Sequence, residues 1–383
     1  MSTLAALVAE RHVLICCGTG GVGKTTTAAA LAIEGARHGR NTVVVTIDPA
    51  KRLANALGVE ELSNLAHEIP RDRWDPALSA PATGRLHALM LDTETTFDQL
   101  VQTYALNQEQ SERILANRFY RNIAGALSGT QEYMAMEKLY ELHDRGGFDL
   151  IVVDTPPTRH ALDFLDAPRR LTRMLDNRIF RMLMVPTRSV VRVGTVAAQA
   201  FLRTISRVVG TEAVDDVVSF FRAFEGMEEG FRDRANQVMQ LLAADETAFV
   251  LVTSPRRDAV QEAEFFAARL ADGQFAVDAL VVNRVHPHYC DADPAALRER
   301  ATDLAARPGD AAARLSAQYA NLADFEDVAT RERHELEGLE HRIGDASVAH
   351  VPELGHDVHD FTALRAVGGH LMGVESGELG SAS

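Results

Sequence analysis

The sequence predicts an α/β fold: a mostly parallel, doubly wound sheet of about seven or eight strands that carries a helical subdomain. Three observations predict it. Short, continuous apolar runs such as Val43-Val44-Val45 recur at intervals that leave room for a helix between them, the pattern of strands covered on both faces. A glycine-rich turn, Gly18 to Thr25, joins the first of these runs to an alanine-rich helical stretch. Two long spans, 92–147 and 168–245, show no convincing strand and read as helices mounted on the sheet.

In chain order, the predicted strands are 12–17, 42–46, 86–91, 150–153, 248–253, 279–282 and 348–351, and the first helix is 25–37. Right-handed crossovers would gather the functional loops at the C-terminal ends of these strands. Span 92–147 breaks at Ser128-Gly129, and span 168–245 breaks at Pro186 and Gly210. Residues 70–84, with Pro76 and Pro81, read as a surface loop in which Trp74 packs. Residues 1–375 read as one domain and 376–383, small and polar, as a disordered tail.

Composition narrows the function classes. A net charge of −15 argues against a general nucleic-acid binder, which needs a basic face toward phosphate. Three cysteines without paired spacing suggest a reducing compartment, with Cys16 and Cys17 as core thiols. Met1 to Ala9 is short and lacks a basic start, and no uncharged apolar run reaches about 18 residues. The chain therefore reads as soluble and cytoplasmic, without a targeting or membrane-spanning segment.

Gly18-Thr19-Gly20-Gly21-Val22-Gly23-Lys24-Thr25 fits G-x-x-x-x-G-K-[ST] between a strand and a helix, the setting of a P-loop. There the backbone of Gly20, Gly21, Val22, Gly23 and Lys24, with Thr25 and Thr26 in the first helical turn, would cradle a polyphosphate. Lys24 would reach the β- and γ-phosphates, and the Thr25 hydroxyl would ligate Mg²⁺. Only three lysines occur, at 24, 51 and 138. A chain that otherwise uses arginine still places the compact ammonium where phosphates crowd.

Three further strand ends carry candidate residues. Asp48 follows the second strand and can either orient the water that attacks a γ-phosphate or cap a helix with Pro49 at its first position. Asp154 ends the strand in Phe148 to His160 and has the position of a carboxylate that holds Mg²⁺ directly or through water. The loop after it, with Thr158 and His160, could sense the γ-phosphate. Asn283 and Pro352 end later strands, where either could border a base pocket or be a plain loop residue.

Taken together, GTGGVGKTT, TIDPAKRL, SGTQEYMAMEKL, VVDTPPTRH, LVVNRV and VPEL resemble, in order and over most of the chain, the arsenite-pump ATPases and tail-anchored-protein targeting ATPases. The resemblance implies a P-loop NTPase fold, ATP as substrate with Mg²⁺, and a dimer that switches with nucleotide state. It makes Asp48 the water-orienting residue, Asp154 the magnesium-side carboxylate, and Asn283 and Pro352 adenine neighbours. The chain also departs from that pattern. Thr19 stands where the family usually carries a second lysine that crosses to the partner's nucleotide; Arg159 replaces a glycine, and Lys51 and Arg52 stand where His and Ser are common. No cysteine lies between Cys17 and Cys290, so arsenite thiols have no counterpart and arsenite efflux is not expected. Cys290 stands without a CxxC partner, so zinc is not expected, and 286–290 reads as a polar loop.

Between Arg169 and Arg207 lie nine arginines and one acid, Asp176, interleaved with Met, Phe and Val. That stretch suits a hydrophobic client or an anionic membrane surface, which would make the protein peripheral to the membrane. It equally suits an inward-packed apolar face rimmed by arginine stems. The expected function is thus a Mg²⁺-dependent, ATP-hydrolysing dimeric switch coupled to a partner or client. The alternative is a regulatory ATP-binding subunit with weak hydrolysis, paired with a lysine-bearing paralogue. A small-molecule kinase would need a substrate site that the sequence does not display.

Overall fold

The computed structural model describes residues 3–48, 52–124, 130–156, 222–355 and 357–373, with 167–170, 172, 173, 176, 216, 219 and 220 between them. Eight strands form one sheet: β1 (Val13–Gly18), β2 (Asn41–Thr46), β3 (His67–Ile69), β4 (Arg85–Met90), β5 (Leu150–Asp154), β6 (Thr247–Thr253), β7 (Ala279–Val285) and β8 (Ser347–Pro352). Their order is β3-β4-β2-β5-β1-β6-β7-β8, all parallel except β3, which runs antiparallel to β4. The first strand therefore sits near the middle, with the chain leaving it to one side and returning on the other. That reversal opens a crevice at the C-terminal end of β1, where ligands bind in such sheets.

All seven expected strands are present within one to three residues of their expected bounds. The eighth, β3, has only Ile69 buried, and three residues of mixed polarity carry too weak a period to read. The expected surface loop 70–84 is corrected as well. It contains a short helix, Arg71–Trp74, and Trp74 is fully buried with its indole N–H donating to the Ile69 carbonyl at 3.2 Å. Trp74 packs, as its apolar area demands.

Each sheet face has its own core. On one lies the helix Lys24–Arg37, with Leu4–Glu10 and Phe361–Leu371 against it; its Ala28 to Ala32 run is buried, small side chains letting the helix approach the sheet closely. On the other lie Thr93–Tyr104, Gln108–Leu115, Thr130–Asp144, Glu228–Ala243, Arg257–Asp272 and the 34-residue helix Asp310–Ile343. The expected helices of 92–147 appear as four segments, the third in chain order being Arg118–Ala124. The expected breaks at Ser128-Gly129, Pro186 and Gly210 lie outside the described residues. The described helices 93–144 and 228–243 bury apolar side chains directly in the same cluster as the sheet, including Tyr133, Met134, Phe231 and Val238.

Candidate functional site

Two glycines shape the turn between β1 and the helix Lys24–Arg37. Gly18 has φ 145°, and a Cβ there would lie 2.0 Å from the Val252 carbonyl oxygen of β6. Gly23 has φ 97°, and a Cβ there would lie 2.1 Å from the Asn283 Nδ2 of β7. Only glycine fits both the handedness and the space. The turn is thus pressed against the ends of two neighbouring strands, and Asn283 Nδ2 donates to the Val22 carbonyl at 2.9 Å. Lys24 is buried, with Nζ donating to the Thr19 carbonyl at 2.7 Å. Burial lowers its pKa, and Asp154 opposes that shift.

Asp154 lies across the turn from Thr25, fully buried at the end of β5. Its Oδ2 accepts from the Thr25 hydroxyl at 2.8 Å and the Thr46 hydroxyl at 2.9 Å, while its Oδ1 has no hydrogen-bond partner. Burial pushes the carboxyl up to about 6, against the two hydroxyls and Lys24, which pull it down. A buried carboxylate with one free oxygen beside a threonine hydroxyl fits Mg²⁺, a hard cation that takes oxygen ligands. Thr46, which sequence reasoning missed, faces Asp154 because the two are registered partners across β2 and β5. Its only sequence signal is a hydroxyl at the strand end before Asp48.

Asp48 is buried directly beyond β2. Its amide donates to the Thr46 hydroxyl at 3.2 Å, and its carboxylate pairs with Arg52 at 3.5 Å. The preceding residue, Ile47, donates its amide to the Asp154 carbonyl at 3.2 Å. The structure therefore brings Lys24, Thr25, Asp48 and Asp154 to one end of the sheet around the glycine turn. Proline 49 and Lys51 lie outside the described residues.

The sequence profile of the anion-transporting ATPases matches residues 11–307. The chain belongs to this family. Among the relatives of this anion-transporting ATPase family member, the ATPase GET3C of Arabidopsis thaliana is 27% identical over 289 residues, 73% of this chain and 68% of that protein. The ATPase GET3 of Malassezia globosa is 30% identical over 162 residues, 42% of this chain and 44% of that protein. The ATPase ASNA1 homolog of Cryptosporidium parvum is 25% identical over 269 residues, 70% of this chain and 63% of that protein. The chain thus spans less than two thirds of the length of the last two.

Beside the glycine turn of this family member opens a cleft of about 520 Å³, bounded by Thr19 to Val22, by Ser254 to Arg256 and Asp258 after β6, and by Arg284, His286 and Glu353. Asn283 of β7 is bonded to the glycine turn, and Pro352 pairs with Val285 across a β-bulge. Arg284, inside that bulge, has φ 63°, a strained value for a side-chain-bearing residue.

The 286–290 loop is polar as expected, but its anchors come from the helix Asp310–Ile343. Glu332 accepts from the His286 amide at 2.9 Å and contacts His286 Nδ1 at 2.7 Å. Glu326 accepts from the amides of Tyr289 and Cys290 at 2.7 and 3.0 Å and pairs with His288. Burial opposes ionisation of Glu326, but those amides and His288 hold its carboxyl below the usual range. Among the described residues, no group of three or more His, Cys, Asp or Glu is arranged to hold a metal ion.

Thr158, Arg159 and His160 lie outside the described residues, as does most of the segment between Arg169 and Arg207; within the latter, Asp176 pairs with Arg232 at 2.9 Å. No helix among the described residues is long and apolar enough to cross a membrane.

Proposed function

We propose that this chain is a Mg²⁺-dependent ATPase that works as a dimeric switch and couples its nucleotide state to a partner or client. The observation that carries this reading is the half-satisfied Asp154 carboxylate bonded to Thr25 at the start of the P-loop helix. Thr25 and Asp154 would hold Mg²⁺, directly or through water. When bound, that ion would neutralise charge on the β- and γ-phosphates. The amides of Gly20, Gly21, Val22, Gly23 and Lys24, with Thr26, surround the phosphate chain, and Lys24 turns its ammonium from Thr19 to the phosphates. Asp48 orients the water that attacks the γ-phosphorus, as the bond to the bridging oxygen breaks and ADP leaves. Asn283 supports the turn and, with Pro352, borders the adenine. Catalysis is positioning and charge neutralisation, without a covalent intermediate.

Residues 1–375 act as one unit in this reading, with helices of 92–147 and 168–245 responding to the switch. Its clients are hydrophobic segments or anionic membrane surfaces met through the stretch Arg169 to Arg207, and its place is the cytoplasm. Arsenite efflux and a zinc clamp are not part of the proposal.

Thr19 favours a second reading of the assembly. A homodimer would lack a cation from the partner at both sites, whereas a lysine-bearing paralogue would supply one to this chain's site. A hydrolysis-poor regulatory subunit in such a heterodimer follows if the chain alone turns over slowly.

The test is phosphate release from Mg·ATP by wild type and Asp48→Asn. Wild type should hydrolyse ATP, and Asp48→Asn should retain Mg·ATP through gel filtration while hydrolysing it about 100-fold more slowly. Equal turnover in the two, with Asp48→Asn melting earlier, would leave Asp48 a helix-capping residue. Turnover that rises with Thr19→Lys or with the paralogue supports the heterodimer.

A further inference from the structure

The peptide that joins Ile47 to Asp48 is bonded at both of its polar ends. Its N–H, on Asp48, donates to the Thr46 hydroxyl at 3.2 Å, inside the strand that Asp48 follows. Its carbonyl, on Ile47, accepts from Gln131 Nε2 at 3.0 Å, from a residue 84 positions away. With Ile47 itself buried and its amide held by the Asp154 carbonyl, two of these three bonds come from β2 and β5. The third comes from the first turn of the helix Thr130–Asp144.

We propose that Gln131 is a positioning residue for Asp48: its amide fixes the orientation of the Ile47–Asp48 peptide and thereby the direction of the Asp48 carboxylate. The inference rests on the ATPase reading above. Among the described residues, Gln131 Nε2 is the donor to that carbonyl. Ile47 and Gln131 also line a cleft of about 680 Å³ with Asn64 and Leu91. Without the Gln131 amide, the carbonyl would face that cleft and water, and the peptide could rotate toward it. An error of about 1 Å at a water-orienting group can cost about 100-fold in rate.

The bond also connects two layers. Six residues beyond Gln131, the same helix carries buried Glu137, which pairs with Arg234 of the helix Glu228–Ala243 at 3.1 Å. A shift of the helical layer relative to the sheet would therefore reach Asp48 through one side-chain amide.

The experiment compares kcat, KM for ATP, Mg·ATP affinity and Tm for wild type, Gln131→Glu, Gln131→Lys, Asp48→Asn and the double variant Gln131→Glu/Asp48→Asn. Glutamate keeps the shape but cannot donate; lysine can donate over a similar reach. Gln131→Glu should lower kcat about 10- to 100-fold with KM and affinity within about twofold and Tm nearly unchanged. Gln131→Lys should recover most of the lost kcat. On the Asp48→Asn background, Gln131→Glu should cost nothing further, because both act on one water. An active wild type with an unchanged Gln131→Glu variant overturns the inference alone, as does equal loss in the Glu and Lys variants or a fully additive double variant. Should Gln131→Glu fail to fold, Gln131→Met, which keeps the length and cannot donate, takes its place: a folded Gln131→Met with kcat lowered about 10- to 100-fold supports the proposal, and one with wild-type kcat overturns it. An inactive wild type, or an Asp48→Asn variant as fast as wild type, overturns the ATPase site and this inference with it.

Discussion

Asp154 and Glu137 are both buried carboxyls with one oxygen that finds no hydrogen-bond partner, and burial raises both, to about 6 and about 7. Their surroundings differ in kind. Asp154 is met by two hydroxyls, which can share it with a metal ion, and it faces the glycine turn. Glu137 already has its cation within the protein: Arg234 pairs with it, lies 4.3 Å over the Tyr140 ring and donates to the Tyr104 hydroxyl. Burial of a carboxylate is therefore not by itself a sign of a site. Neutral donors and a free oxygen at the C-terminal end of the sheet point to a ligand, whereas a fixed guanidinium among aromatic rings points to a polar joint in a packed layer.

Breaking the Asp154 side should have the largest effects. Lys24→Ala removes the cation beside Asp154 and the phosphates, so turnover should become undetectable and nucleotide affinity should fall about 100-fold or more. Isothermal titration with Mg·ATP and phosphate release measure the two losses. Wild-type turnover in that variant would refute the site.

Asp154→Asn separates binding from stability. Turnover and its Mg²⁺ dependence should fall about 100-fold. Stability should move the other way at alkaline pH. The folded carboxyl titrates near 6, above its ordinary 3.8, so its favourable protonation is fully present below about 3.8 and lost as pH rises through 6. Above that, asparagine removes a buried charge, for a gain on the order of 1–3 kcal/mol at pH 8 that vanishes toward pH 4. Denaturant titrations at the two pH values check the sign.

Glu137→Gln should change stability without changing the site. Its carboxyl, raised from 4.5 to about 7 by burial despite Arg234, contributes stability that is present below about 4.5 and is lost as pH rises through 7. Melting curves of wild type and variant should converge near pH 5 and separate near pH 8, with the glutamine variant higher. Mg·ATP affinity should stay within about twofold. A variant that instead melts lower at pH 8 would mean that the charge of the Arg234 pair outweighs burial.

The smallest effect belongs to the loop that begins at His286. Glu326 is held below its usual range, so its contribution is present above about 4.5 and is lost as pH falls below that. Glu326→Gln should speed hydrogen exchange at the Tyr289 and Cys290 amides at pH 7 and leave the β1 amides unchanged. Equal exchange in wild type and variant would show that Glu326 does not hold the loop.

The sequence by itself determined the sheet and the turn. Strands buried on both faces are apolar along their length, so β1, β2, β5, β6 and the start of β7 announced themselves as continuous runs. A turn that needs glycine at Gly18 and Gly23, followed by Lys24 and Thr25, has few chemical meanings. Asp48 and Asp154 were legible because each follows such a run directly. Only the tertiary structure decided what surrounds them. Thr46 meets Asp154 through sheet register, and Gln131 meets Ile47 across 84 residues. Glu326 and Glu332 reach 286–290 from a long helix. Side chains of this kind carry no local period, since their partners are fixed by packing between elements rather than by spacing along the chain. The short helix Arg71–Trp74 in a predicted loop and the three-residue strand beside it were hidden for the same reason: each has too few residues to form a pattern.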